Sequence, residues 1–425
     1  MHSSERVIRG GGREARGTVA AIASKSDLHR LLIAAALGDR PCEIPLSEAP
    51  SEDIYATVEC LNALGAEIAI EKERIHVIPI NQSGETPRSV VLKCRESGST
   101  LRFLLPVAAA LGREAVFTGE GRLPQRPLRP LLERLSGIEI QEAGFGEADQ
   151  FLRIHGQLRA GEFRLPGNVS SQYLTGLLFA LPLLEGDSRL SITSPLESAG
   201  YVRMTLRTLQ QFGVTIQESG GGWHVPGKQV YQTPGSVLKP EGDWSNAAFW
   251  LAAGALAGDI TVTGLSPDSE QPDKAIINLL EQMGAKLNGQ LSARKASLRG
   301  MRFDASGAPD LVPVMAVLMA LAEGESRVVN AARLRLKESD RLAVMADNLN
   351  ALGARVTEQP EGLVIHGVPS LRGGEVTAPN DHRVAMAMAV AALRCTGTVT
   401  LRGADTVKKS YPDFWQHYAK LVKEP

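Results

Sequence analysis

NDHRVAMAMAVAALRCTG, residues Asn380–Gly397, has a polar start, an apolar alanine-rich body and a glycine stop. Those are the start and end signals of a buried helix: a side chain that caps free N–H groups, a core-facing run, and a residue that accepts the left-handed turn. The same pattern recurs along the whole chain. Gly38, Gly112, Gly186, Gly258, Gly324 and Gly397 follow apolar runs and are spaced 74, 74, 72, 66 and 73 residues apart. Ahead of the runs stand Ser24, Ser97, Ser170, Asp243, Asp310 and Asn380 or Asp381. One structural unit is therefore repeated six times.

Working outward from each glycine, a β-like run follows, as in Ala115–Thr118, Ile260–Gly264 and Thr398–Arg402. A loop leads to a second helix that stops at Gly65, Gly137, Gly213, Gly284 or Gly353, and then to a short hairpin. The unit reads strand, helix, strand, helix and hairpin, which makes the fold class α/β. The last unit ends with the helix near Asp413–Leu421, before any hairpin, whereas Arg6–Ile22 has strand-like runs that belong to no unit. This predicts two domains of three units each, with both termini in one of them. The bounds expected are residues 1–22 with 242–425, and residues 23–241. Two crossings at one seam, near Ile22–Ser24 and Pro240–Gly242, suit a hinge that closes over a ligand.

Composition narrows the function. A chain of 425 residues with 43% apolar and 22% charged residues builds a sizeable core and is not disordered. Its net charge of −1 excludes the broad basic face of a nucleic-acid binder. Cys42, Cys60, Cys94 and Cys395 lie far apart with no metal-ligand or disulfide spacing, and no apolar run is long enough for a bilayer. The reading is a cytoplasmic protein without metal.

Six helix N-termini offer free N–H groups and partial positive charge, so anions are their natural guests. Lys25 and Ser26 open the first helix, with Arg30 further along it. A cation in a first helical turn opposes the macrodipole unless an anion joins it. Gly98 in Glu96–Arg102 lets a ligand approach backbone and hydroxyls, and Arg126 is held between Pro124 and Pro127. Ser170, Ser171 and Gln172 open the third helix. In the second half, Leu336–Leu342 reads as the first turns of a helix in which Lys337 and Arg341 form a like-charged i,i+4 pair with Glu338 between them. Asp310 reads as a cap on the fifth helix, Arg383 opposes the dipole of the last, and Lys409 precedes the terminal helix. Converged on one face of each domain, these groups would form a dry cationic pocket in which Asp310 and Glu338 handle protons.

The set formed by Lys25-Ser26 with Arg30, Ser97–Arg102, Arg126, Ser170-Ser171-Gln172, Ser198 with Tyr201, Asp310, Lys337–Arg341, Asn380–Arg383 and Lys409–Pro412 resembles the 5-enolpyruvylshikimate-3-phosphate synthase family over essentially the whole chain. The resemblance implies a two-domain inverted α/β barrel. It implies transfer of the enolpyruvyl group of phosphoenolpyruvate to the 5-hydroxyl of shikimate 3-phosphate, with release of phosphate. By that resemblance Lys25, Ser26, Arg30, Ser170, Ser171, Gln172, Ser198, Tyr201, Asp310 and Lys337 hold shikimate 3-phosphate. Lys25, Gly98, Arg126, Gln172, Arg341, Arg383 and Lys409 hold phosphoenolpyruvate. Asp310, Glu338, Lys25 and Lys409 are the catalytic candidates, no cofactor is implied, and the protein acts as a monomer without nucleic-acid or membrane partners.

The sequence departs from the family pattern at Glu96, at Ile22-Ala23 and at Arg333. The related transferases acting on UDP-N-acetylglucosamine would show Lys-Asn where Lys25-Ser26 stands, and a cysteine in the Arg126 loop. None of the four cysteines lies between Gly119 and Pro130. A non-catalytic anion-binding scaffold of the same repeat is the reading of another class.

Overall fold

The computed structural model describes residues 4–80, 87–142, 149–235, 237–289 and 291–423. Contacts divide the chain into one unit of Met1–Ser24 with Glu241–Pro425 and another of Lys25–Pro240.

The complete repeats pair two parallel strands across a buried helix and add an antiparallel hairpin. In the unit Lys25–Pro240, Ser89–Lys93 runs parallel to Glu114–Thr118, which pairs antiparallel with Gln150–Gly156 and through it with Ile138–Glu142. Glu162–Leu165, Ser188–Ile192, Gly222–Val225 and Gln217–Glu218 repeat that order. The first repeat of this unit has only Cys42–Pro45, Arg74–Ile78 and Glu67–Ile70. Its parallel neighbour is a single bridge, Gly38 to Tyr231, at the far end of the same unit.

In the other unit, Glu14–Ala20 lies parallel to Gly258–Thr263, and Arg302–Asp304 to Glu325–Val329. Each of these pairs carries its antiparallel hairpin. The last pair, Gly374–Thr377 with Val399–Arg402, has no hairpin after it; Glu5–Ile8 pairs there instead. Val422–Lys423 closes back onto Glu14 and Ala15. The incomplete last repeat is thus completed by the start of the chain.

The central helices explain the period. Trp244–Ala257, Val312–Ala320 and His382–Ala392 are buried along their entire length. Gly98–Ala110 and Ser171–Ala180 are buried except at Ser99 and Gln172. A helix apolar all round belongs inside a layer, and its small residues let neighbouring backbones approach. A Cβ on Gly176 would fall 2.2 Å from the carbonyl oxygen of Arg102, so those two helices pack through a glycine. Because the helix bodies are sealed, chemistry is left to their N-terminal turns and the preceding loops.

Two local expectations are corrected. Asp310 does not cap the fifth helix: it lies in the 3-10 turn Pro309–Leu311, and the α-helix begins at Val312 with no side-chain cap. Pro313 in that first turn has no N–H to satisfy, which releases the Asp310 carboxylate for other partners. Nor is Leu336–Leu342 a continuous helix. Lys337 is extended (φ −87°, ψ −159°), and the helix Arg341–Ala351 starts only after Asp340, whose side chain accepts from Ala343 N. Lys337 and Arg341 are therefore not helical neighbours.

Candidate functional site

In the unit containing both termini, Arg341 is the hub. It is 1% exposed, and its Nε and Nη2 meet Asp381 Oδ2 and Oδ1 at 2.8 and 3.3 Å. Its Nη1 reaches Asp310 Oδ1 at 2.8 Å, and its Nη2 reaches Glu338 Oε2 at 2.9 Å. One guanidinium fork holds three carboxylates, a task that needs its five fixed donors. Asp381 in turn accepts from Ser339 Oγ at 2.9 Å and caps the last central helix through the N–H groups of Arg383 and Val384.

Asp310 gathers the remaining cations. Arg383 Nη2 lies 3.0 Å from its Oδ2, and Lys337 Nζ lies 3.7 Å from its Oδ1. Burial alone pushes this carboxyl up, but Arg383, Lys337 and Arg341 outweigh that and hold it well below the ordinary carboxylate range. It is ionised at neutral pH and accepts hydrogen bonds. Lys409, buried, donates to the carbonyl of Asn380 at 2.8 Å. Asn380 has φ +59°, a left-handed setting that asparagine tolerates better than most side chains, and places that carbonyl just before the Asp381 cap.

In the unit Lys25–Pro240, Lys25 Nζ pairs with Asp53 Oδ2 at 2.6 Å, both side chains 15% exposed. A chain of hydroxyls ties three helices together. Thr57 Oγ1 meets His29 Nδ1 at 2.8 Å and Thr100 Oγ1 at 2.7 Å, and Thr100 is bonded to Ser97. Arg30 is 2% exposed and donates to Thr205, Thr175 and the carbonyls of Ser26 and Tyr201. Burial without a bonded carboxylate lowers this guanidinium to about 10. Arg30 therefore braces Ser26 and Tyr201 more than it faces outward.

Gly98 sits where two guanidinium groups converge. A Cβ there would fall 2.5 Å from Arg102 Nη1 and 2.8 Å from Arg126 Nη1. Arg102 also donates to Gln172 Oε1 at 3.0 Å and to the Pro127 carbonyl at 3.2 Å, so it fixes the Arg126 loop. Gln172 returns a bond to Ser99 at 2.9 Å. Ser170 caps its helix by accepting from Gln172 N, and Ser171, buried, is the first helical residue. Ser198 stands at φ +55° as the residue before the helix Ala199–Gln211, and Tyr201 N bonds its carbonyl.

Asp310, Lys337, Glu338, Arg341 and Arg383 thus form one ion-paired cluster, with Lys409 tied to the adjoining loop. Gly98, Arg126 and Gln172 meet around Arg102, and Ser26, Arg30 and Tyr201 form a neighbouring network. Sequence reasoning missed Asp53, the partner of Lys25, and the bridging roles of Asp381 and Arg102. The acidic start of Glu52–Ala63 was the available signal for Asp53. The departure Arg333 donates to the Ser306 carbonyl. Among the described residues no group of three or more His, Cys, Asp or Glu could hold a metal, and no helix is long and apolar enough to cross a membrane.

The chain is similar to known proteins along nearly its whole length. The profile of the EPSP synthase family (3-phosphoshikimate 1-carboxyvinyltransferase) matches residues 10–418. The 3-phosphoshikimate 1-carboxyvinyltransferase of Clostridium acetobutylicum is 44% identical over 409 residues, covering 96% of this chain and 95% of its own. A solved EPSP synthase from Acinetobacter baumannii superposes with a TM-score of 0.80 at 26% identity, covering 98% of each chain. The enolpyruvyl transferase NikO of Streptomyces tendae shares the fold, with a TM-score of 0.78 at 21% identity over 99% of this chain and 98% of that one.

Proposed function

Since the chain belongs to the EPSP synthase family, we infer that it transfers the enolpyruvyl group of phosphoenolpyruvate to the 5-hydroxyl of shikimate 3-phosphate and releases phosphate, in the shikimate pathway of aromatic amino-acid biosynthesis. The observation that carries the reading is the cluster in which Asp310 meets Arg341, Arg383 and Lys337, within a family match that spans nearly the whole chain. We take the two compact units as its two domains, of three repeats each.

Two polyanions react only where fixed cations offset their repulsion. Arg126, Arg341, Arg383, Lys25 and Lys409 supply those charges toward phosphoenolpyruvate, with Gly98 and Gln172 beside Arg126. Ser26, Ser170, Ser171, Gln172, Ser198, Tyr201 and Lys337 serve shikimate 3-phosphate, and Arg30 braces Ser26 and Tyr201. Arginine forks match carboxylate and phosphate at two points each.

In the addition step the 5-hydroxyl loses a proton as its oxygen bonds the central carbon of phosphoenolpyruvate, and the methylene carbon gains one. Asp310, held ionised, orients and accepts from the hydroxyl. A carboxylate shared by three cations is a weak base until a bound anion competes for them, so substrate binding itself raises its basicity. Glu338 takes up a proton once a bound anion draws on Arg341, and delivers it to carbon, while Lys25 and Lys409 steady the tetrahedral intermediate. Elimination then returns a methyl proton to Glu338 and expels phosphate, which carries away the proton taken from the hydroxyl.

The protein acts in the cytoplasm as a monomer on small molecules; the near-neutral charge supports the exclusion of nucleic acid. Proton and phosphorus NMR of a mixture with both substrates tests the reaction. Vinyl-ether protons on the shikimate ring should grow in step with free phosphate, and phosphate without the ether would contradict the reading.

A further inference from the structure

Lys25 and His29 stand one turn apart on the helix Lys25–Ala36, and Asp53 and Thr57 stand one turn apart on Glu52–Ala63. These two helices therefore meet in two rungs at the same offset. In the outer rung Lys25 Nζ pairs with Asp53 Oδ2 at 2.6 Å, and in the inner rung His29 Nδ1 meets Thr57 Oγ1 at 2.8 Å. The inner rung is buried, and the reaction as derived gives it no task. Burial makes such a rung demanding, because water does not replace a partner lost there.

From Thr57 the bonds run on to the helix Gly98–Ala110. Thr57 Oγ1 meets Thr100 Oγ1 at 2.7 Å, and Thr100 Oγ1 donates to Ser97 Oγ at 2.7 Å and faces the Asp53 carbonyl at 3.4 Å. Ser97 Oγ accepts from Thr100 N and so caps the helix whose first residue is Gly98. The protons along this chain take one order. A hydroxyl has a single proton to give, and a carbonyl can only accept. With Thr100 donating onward, Thr57 donates to Thr100 and His29 donates to Thr57 from Nδ1. His29 Nε2 is left as a bare lone pair, buried with no hydrogen-bond partner among the described residues. Phe103 of the third helix holds the ring edge-on, with centroids 6.1 Å apart. A second ring proton would be stranded, and burial beside Lys25 and Arg30 keeps the imidazole well below its usual titration.

We propose that His29 is a positioning residue: its Nδ1–H, acting through Thr57 and Thr100, aligns Lys25 with Asp53 and fixes the cap from which Gly98 starts its helix. The proposal rests on the reading of Lys25 and Gly98 as phosphoenolpyruvate residues.

The experiment compares His29→Leu, His29→Asn and His29→Gln in kcat/KM for phosphoenolpyruvate at saturating shikimate 3-phosphate, with unfolding midpoints from the same samples. An asparagine amide puts its N–H near the place of Nδ1, whereas a glutamine amide reaches toward that of Nε2. His29→Leu and His29→Gln should lose about ten- to a hundredfold, the cost of a small misplacement of substrate-binding groups. His29→Asn should stay close to wild type. Packing alone predicts the opposite order, since leucine fills the place of the ring better than the shorter asparagine. Thr57→Val should copy the loss, and Thr57→Ser should not. A His29→Asn rate no better than that of His29→Leu overturns the proposal; if the His29 variants do not fold, equal rates in Thr57→Val and Thr57→Ser overturn it. Proton–nitrogen NMR gives a readout independent of turnover: the His29 ring should carry its proton on Nδ1 at neutral pH, and a proton on Nε2 would overturn the proposal. A wild-type protein that forms no product overturns the site reading instead, while the NMR signal still tests the bond from His29.

Discussion

Arg341 and Asp381 share a two-point contact, Nε to Oδ2 at 2.8 Å and Nη2 to Oδ1 at 3.3 Å, with both side chains almost wholly out of solvent. The same carboxylate caps the helix that carries Arg383. One aspartate therefore sets the direction of two arginines, and a change there is felt at both.

Replacing Asp381 by Ala removes one of the three carboxylates on Arg341, leaves its Nε without that buried partner, and takes the cap from the helix. The loss expected is about 3–5 kcal/mol for the broken buried pair, with roughly 1 kcal/mol more for the cap. Denaturant unfolding of the variant against wild type measures it, and a difference below about 1 kcal/mol would show that the fork is dispensable.

Gly98→Ala puts a methyl group into the space of Arg102 Nη1 and Arg126 Nη1. Arg126, in a loop, is the more easily displaced of the two. KM for phosphoenolpyruvate should rise about tenfold, equivalent to ~1.4 kcal/mol, while stability changes little. Steady-state kinetics decide, and an unchanged KM would separate Arg126 from that substrate.

Asp310→Asn keeps the shape and removes the negative charge. Turnover should fall by about 10²–10⁴, the usual share of a positioned acid or base. Stability gives a second readout. The folded carboxyl titrates below its unfolded value, so its contribution is present above the unfolded value and lost as pH falls through the folded one. The gap between wild type and variant in unfolding midpoint should be wide at pH 7 and close below about pH 4. A gap independent of pH would place Asp310 outside the ion-paired cluster.

Glu338→Gln retains a hydrogen-bonding partner for Arg341 but has no proton to give. Binding of both substrates should persist while product formation stops. A rate near that of wild type would assign proton delivery to carbon elsewhere.

The repeat was legible because burial forces it: an alanine-rich helix such as His382–Ala392 has to be sealed on every side, and its polar start and glycine end are local signals. The candidate site residues drew notice because helix starts expose donors. What the sequence concealed was pairing. Whether Asp310 caps its own helix or meets Arg341 and Arg383 depends on Pro313 and on contacts with residues 31 and 73 positions away, which no local rule encodes. The break at Lys337–Asp340 was hidden for the same reason, since Arg335 in the 3-10 turn Ala332–Leu336 ties the helix cap Asp340 to Glu358 on the strand Arg355–Gln359.

We propose for these cations and carboxylates one reaction between two anionic metabolites. Phosphate released from phosphoenolpyruvate, followed with and without shikimate 3-phosphate, tests it most directly. Release is expected only when both are present, and release that proceeds equally well without the shikimate compound would overturn the proposed reaction.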